Sequence, residues 1–111
     1  MPIRYSTILV EGASMEPTYS SGDWLLVRWG SYRLGGGGSL STRRVKVGDV
    51  VLIEREGQPG IHYLKRISEV REDSQEIFLL SDNESGTDSR TWGWLPIDNV
   101  RARVLFRVKC A

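Results

Sequence analysis

The sequence predicts an all-β fold, a single compact domain of antiparallel strands covering residues 1–111. Three observations predict it. Helical periodicity is weak along the whole chain. Short β-rich runs bounded by turn residues dominate instead. The last of these runs alternates apolar and basic residues with period two, and 111 residues suit one core.

The first run, Tyr5 to Glu11, ends in the small residues Gly12 and Ala13. The second, Trp24 to Trp29, follows the turn pair Gly22-Asp23, and the third, Val50 to Arg55, follows a second such pair, Gly48-Asp49. Gln58-Pro59-Gly60 turns the chain into a fourth run, Ile61 to Val70. Glu76 to Leu80 is the fifth and stops at Ser81-Asp82-Asn83. The sixth, Val100 to Val108, sets Val100, Ala102, Val104, Phe106 and Val108 on one face. Arg101, Arg103, Arg107 and Lys109 occupy the other, with Leu105 breaking the pattern, as in a half-buried strand with a solvated basic side. Gly35 to Gly38 with Ser39 predicts a flexible surface loop at about 35–42, of a composition shared by native loops and engineered linkers. It is not a phosphate-binding loop, because no Lys-Ser/Thr pair follows it. Six or seven strands with long loops result.

Composition narrows the function classes. With 40% hydrophobic and 26% charged residues the chain reads as globular, and a net charge of +1 favours neither nucleic acid nor an acidic partner. The lone Cys110 cannot form an internal disulfide, so folding does not need an oxidising compartment. One histidine and one cysteine do not make a metal site, and no cofactor is expected. The apolar run Ile8 to Val10 is far shorter than the about 18 residues a membrane span needs. The expectation is a soluble cytoplasmic chain, membrane-associated only if an anchor has been removed; oligomeric state is not legible.

The chemistry concentrates in Gly12-Ala13-Ser14-Met15-Glu16-Pro17-Thr18, which puts the Ser14 hydroxyl at a strand-to-turn junction. Pro17 fixes its own φ and pushes Glu16 toward extended geometry, so a helix does not start there early. Small Gly12 and Ala13 leave room for a peptide alongside, although a plain turn with a capping serine fits the same residues. A nucleophilic serine needs a base. The one histidine, His62, alternates with Leu64 and Arg66 on one face of its strand, opposite Ile61, Tyr63, Lys65 and Ile67. If that second face is buried, desolvation lowers the proton affinity of Lys65. A shift from about 10.4 to about 8 takes roughly 3 kcal/mol, which burial can supply. A neutral lysine can then accept a proton from serine. A lysine reaching from a strand edge into solvent is the other reading.

Ser14 to Thr18, followed by Gly22-Asp23 before an apolar strand, resembles the nucleophile box of type I signal peptidases. Tyr63-Leu64-Lys65-Arg66-Ile67 resembles their lysine box. Ser81-Asp82-Asn83, then Thr87-Asp88-Ser89-Arg90, then Trp92-Gly93 and Pro96, resembles their third box. The boxes keep the family's order, which implies the coiled antiparallel sheets shared by signal peptidases and LexA-like self-cleaving repressors. The Asp88-Ser89-Arg90 run favours the signal peptidase side. Small size without an anchor looks most like the nickel-type superoxide dismutase maturation proteases, so a nickel superoxide dismutase precursor is one candidate substrate.

The resemblance implies a serine endopeptidase that removes an N-terminal leader or pro-segment from a protein. Ser14 is then the nucleophile and Lys65 the general base. The Ser14 N–H is one oxyanion donor. Some relatives add a serine hydroxyl where this chain has Gly12, so the second donor is backbone or comes from elsewhere. Asp88 and Arg90 form a bracing pair. Relatives' lysine-orienting serine aligns with Ser85 or Gly86, so Ser85, Thr87 and Ser89 are the candidate hydroxyls. Ser81 departs from the glycine that usually opens the third box. Val10, Glu11 and Gly12 form an edge that can pair with an extended peptide, with Tyr63 and Leu64 opposite. Met15 and Leu25 are candidate pocket residues or plain core. The alternatives are a general type I signal peptidase domain without its anchor, a self-cleaving regulator, and a non-catalytic β-barrel module stacking nucleic acid on Trp24, Trp29, Trp92 and Trp94.

Overall fold

The computed structural model describes residues 4–35 and 44–111. Beyond Gly35, the glycine-rich loop expected at about 35–42 lies almost wholly outside those residues. Six strands form where the sequence places them: β1 (Arg4–Leu9), β2 (Trp24–Trp29), β5 (Val50–Glu54), β6 (His62–Arg71), β7 (Glu76–Leu80) and β9 (Val100–Lys109). Three two-residue strands, β3 (Arg33–Leu34), β4 (Arg44–Val45) and β8 (Leu95–Pro96), are too short for a periodic signal. One helical turn, α1 (Ser89–Trp92), and a 3-10 turn at Ile97–Asn99 interrupt the all-β pattern. The Asp88 side chain caps α1 by accepting from Arg90 N–H.

Seven strands join in one antiparallel sheet, in the order β1-β2-β9-β5-β6-β7-β8, while β3 and β4 pair separately and in parallel. The sheet curls into a half-barrel with β1 and β8 at its open edges. Each face has its own core. Val51, Ile53, Ile67, Ile77, Leu79 and Val100 belong to one cluster. Leu25, Val27, Leu52 and Ala102 belong to the other. Central β5 therefore buries four successive residues, Val50 to Ile53, and reads as a continuous apolar run rather than an alternation.

Strand β9 departs from its expected pattern. Val100 and Ala102 are buried, but Phe106 and Val108 are 55% and 47% exposed. The register shifts twice here: Val27 pairs with Val104 and Leu26 with Phe106, leaving Leu105 as an extra residue, and Leu25 pairs with Arg107 and Trp24 with Lys109, leaving Val108 as a second. Such a bulge reverses which face later side chains occupy. The break in alternation at Leu105 was the sequence trace of the first bulge.

Candidate active site

The chain leaves β1 under tight control and then loosens. Val10 N–H donates to Asp23 O at 2.8 Å, and Gly22 N–H donates to Val10 O at 2.9 Å. Gly12 follows with φ +83°, a left-handed conformation that favours glycine, and a Cβ there would touch nothing within 4 Å. The turn closes with Glu16 N–H on Ala13 O and Tyr19 N–H on Met15 O. Met15 anchors it, only 1% exposed. Ser14 stays half-buried at the tip.

Lys65 sits in the middle of β6, opposite Val51 on the neighbouring strand. The face shared by Tyr63, Lys65 and Ile67 turns inward, as alternation predicts, and Lys65 is 3% exposed. Its Nζ lies 6.0 Å from the Tyr63 ring and 5.9 Å from the Trp92 ring. Burial pulls its pKa below the ordinary lysine value; the charge of Asp88 opposes that shift and the charge of Arg90 adds to it.

The Lys65 amine donates to Ser81 Oγ at 3.0 Å. Ser81 is not among the hydroxyls, Ser85, Thr87 and Ser89, expected to orient the lysine. Ser85 is exposed and bonds Asn83 Oδ1 through both its N–H and its hydroxyl. Ser89 is buried, but its hydroxyl accepts from Leu79 N–H. Thr87 is exposed. A sequence signal for Ser81 existed. Ile77 and Leu79 are the buried positions of β7, and Ser81 continues that parity. The pairing of Arg66 with Leu80 then sets the next position, Lys65, against Ser81.

Gly86 completes this corner. Its φ is not among the positive ones, so its backbone does not demand glycine. Space does. A methyl group there would overlap Ser81 Oγ, lie 2.7 Å from Ser81 Cβ and 3.2 Å from Ser14 Cβ. Ser14, Ser81 and Gly86 therefore converge on one point.

Asp88 and Arg90 form a paired brace: Arg90 Nε donates to Asp88 Oδ1 and Nη2 to Oδ2, each at 2.9 Å. Asp88 also accepts from Ser81 N–H at 2.7 Å, so the brace fixes the residue that holds the lysine. Burial pushes the Asp88 carboxyl up, but bonds from Arg90 and Ser81 and the charge of Arg90 outweigh it and hold the pKa at about 2.

A second brace joins the turn to the sheet. Arg66 Nε and NH2 grip the two oxygens of Asp82 at 2.9 and 2.8 Å, and Thr18 Oγ1 donates to Asp82 Oδ2 at 2.5 Å. Asn83 reaches across to the turn, its N–H donating to Ser14 O and its Nδ2 to Ala13 O, each at 2.9 Å. Composition and spacing gave no role for Asp82 or Asn83.

A cavity of about 170 Å³ opens between the two regions. Ile8, Leu9, Val10, Glu11, Ser14 and Met15 line one side. Leu52, His62, Tyr63, Leu64 and Lys65 line the other. Ser14 and Lys65 thus share one cavity with the expected edge residues Val10 and Glu11 and with Tyr63 and Leu64. Leu25 is not there; it is fully buried in the second core cluster. His62 faces the same cavity and stands 3.6 Å from Glu54.

No helix among the described residues is long and apolar enough to cross a membrane. Comparison with curated proteins gave no match. The family model for signal peptidase, peptidase S26, matches residues 3–74, which take in both the Ser14 turn and the Lys65 strand and stop short of Ser81. With well over half of its length matched, the chain belongs to the signal peptidase family, peptidase S26, and is at that level a signal-peptidase-like serine peptidase.

Proposed function

We propose that the chain is a serine endopeptidase with a Ser14/Lys65 dyad, cutting an N-terminal leader or pro-segment from a protein substrate in the cytoplasm. One observation carries this reading: an amine buried by its own strand, with lowered proton affinity, lines the same cavity as a serine at a turn. Neutral Lys65 takes the Ser14 proton as Oγ attacks the scissile carbonyl. The resulting ammonium returns that proton to the leaving amine as the acyl-enzyme forms. Neutral once more, Lys65 removes a proton from the water that releases the acyl group. Ser81 keeps the amine aimed.

The substrate strand docks along the free side of β1. Both backbone polar groups of Val10 are spent on Gly22 and Asp23. By strand alternation the groups of Leu9 and Glu11 face the other way, toward the cavity, where an extended peptide can pair. The narrow slot favours small residues before the cut, as in leader peptides. A nickel superoxide dismutase precursor is the candidate substrate that the resemblance suggests, against secretory precursors for a general signal peptidase. The nucleic-acid reading gains no support from the tryptophans: Trp29, Trp92 and Trp94 are packed against His62, Tyr63 and Phe78.

The test is cleavage of both precursor types by Ser14→Ala and Lys65→Ala. Each variant loses cleavage of the native substrate, because residues acting as a unit each remove most of the rate. Each retains its far-UV spectrum. Full activity in either variant refutes the dyad.

A further inference from the structure

We propose that Asn83 is a positioning residue for the oxyanion donor, setting the direction of the Ser14 N–H by holding the opposite end of the same peptide unit. This rests on the Ser14/Lys65 reading. The Ala13–Ser14 peptide is trans, so its C=O and N–H point in opposite directions across one rigid plane. Asn83 Nδ2 holds that C=O at 2.9 Å. The next peptide is held the same way, with Ser14 O accepting from Asn83 N–H at 2.9 Å. Two successive carbonyls are drawn toward one residue, and the N–H groups of Ser14 and Met15 are turned away from it. Both residues line the cavity. Adjacent N–H groups presented together form an anion-binding concavity, which a developing oxyanion requires.

Packing holds this turn on one side only, at buried Met15. On the other side Gly12 and Ala13 are exposed, Gly12 is left-handed, and space around its Cβ position is open. Hydrogen bonds complete the orientation there. Among the described residues Ala13 O has one other donor, Glu16 N–H at 3.1 Å, which belongs to the same turn and moves with it. Thr18 ties the far end of the turn to Asp82, and Asn83 ties the end that carries Ser14; Ser85 in turn steadies the Asn83 side chain through Oδ1.

Asn83→Asp separates positioning from bracing. The carboxylate keeps an acceptor for Ser85 but has no N–H for Ala13 O. Removing an oxyanion donor typically lowers kcat about 10²–10³-fold; here the donor remains but loses its aim, so kcat should fall about 10-fold. KM should hold, because the peptide edge is not touched. The pH at which activity rises should hold in the uncharged Asn83→Ala, whereas the new carboxylate of Asn83→Asp, like that of Asp88, favours the charged lysine and can only move it upward. A peptide aldehyde, which forms a tetrahedral adduct with Ser14, should weaken in parallel with kcat, while the cleaved product peptide binds as before. Asn83→Ala serves as the uncharged companion and should show the same split. If both variants keep kcat within about twofold while Ser14→Ala is dead, the positioning role fails and the dyad stands. Equal losses for aldehyde and product peptide would also overturn it, since they mark general damage to the site. An active Ser14→Ala would instead remove the reading on which the proposal rests.

Discussion

The two sides of the cavity are prepared by different physics. Lys65 lies in the regular ladder that β6 makes with β5, just before the pairing with β7 begins, and burial on that strand lowers its proton affinity. Ser14 lies in a turn whose preceding residues touch little, and beyond the Met15 anchor its position comes from hydrogen bonds that Asn83 donates to Ala13 and Ser14 and that Asp82 accepts from Thr18. A base must be kept from water, which packing does well. In the proposed dyad the nucleophile must meet both substrate and base, and half-exposed Ser14 with its directional ties suits that part. The Ser81–Arg90 segment serves both, holding the amine through Ser81 and the turn through Asp82 and Asn83.

The sharpest way to break this contrast is Lys65→Met, which keeps the length and apolar packing but removes the amine. Cleavage should fall by about 10⁴-fold or more, on the scale of losing one member of a catalytic unit. Stability should not fall. The folded pKa of Lys65 lies below its ordinary value of 10.5, so the unfolded chain holds the proton more tightly. Wild-type stability therefore rises with pH between the folded pKa and 10.5. The variant lacks that dependence, and its advantage grows as pH drops through the window. Denaturant melts at several pH values check this. A lower melting point for Lys65→Met at neutral pH would mean that the amine is held charged, and the burial account would be wrong.

The corner between the two regions offers the next test. Gly86→Ser alone drives a side chain into Ser81 and Ser14, and should reduce cleavage by about 100-fold through misplacement of reacting groups. Ser81→Gly vacates that space. The double variant Ser81→Gly/Gly86→Ser moves the hydroxyl to the other wall of the same corner and should restore activity to within about 10-fold of wild type. Kinetics of the single and double variants decide it. A double variant as poor as the worse single would show that the hydroxyl must come from β7.

Much of the fold was legible because burial on β6, β7 and most of β2 follows period two. Lys65 stood out for the same reason, a charged residue on an apolar parity. Ser81 obeyed that parity too, but it lay beyond the apolar run, and a serine gives no hydrophobic signal. The outward turn of Phe106 and Val108 left only the break at Leu105 as its trace, and the register with β2 is needed to read that break as a bulge. Asn83 was illegible for a deeper reason. Its role depends on a contact 70 positions distant in sequence, between two turns without any period. Burial leaves a trace in composition, whereas a directional clasp between loops does not.

Acid sharpens the comparison on the lysine side. The folded pKa of Asp88, about 2, lies below its ordinary value of 3.8. Its stabilisation is complete above about 3.8, is lost as pH falls toward about 2, and amounts to about 2 kcal/mol. Thermal melts of wild type against Asp88→Asn across that range should converge at the acid end. Divergence there would place the stabilisation elsewhere.

The smallest expected effect discriminates most finely among the hydroxyls. Ser85 is exposed, and among the described residues its hydroxyl bonds Asn83 Oδ1, an oxygen that its own N–H also reaches. Ser85→Ala removes one of two bonds to that oxygen at a site where water can replace it. Stability should change by less than about 0.5 kcal/mol, and cleavage should stay within about threefold of wild type. Ser81→Ala should instead lower kcat by about 10-fold or more and move the pH at which activity rises, because it strips the buried amine of its partner. Parallel pH–rate profiles separate the two. If Ser85→Ala moves the profile and Ser81→Ala does not, the amine turns toward the exposed loop during catalysis, and the lysine side is as dependent on directional ties as the serine side.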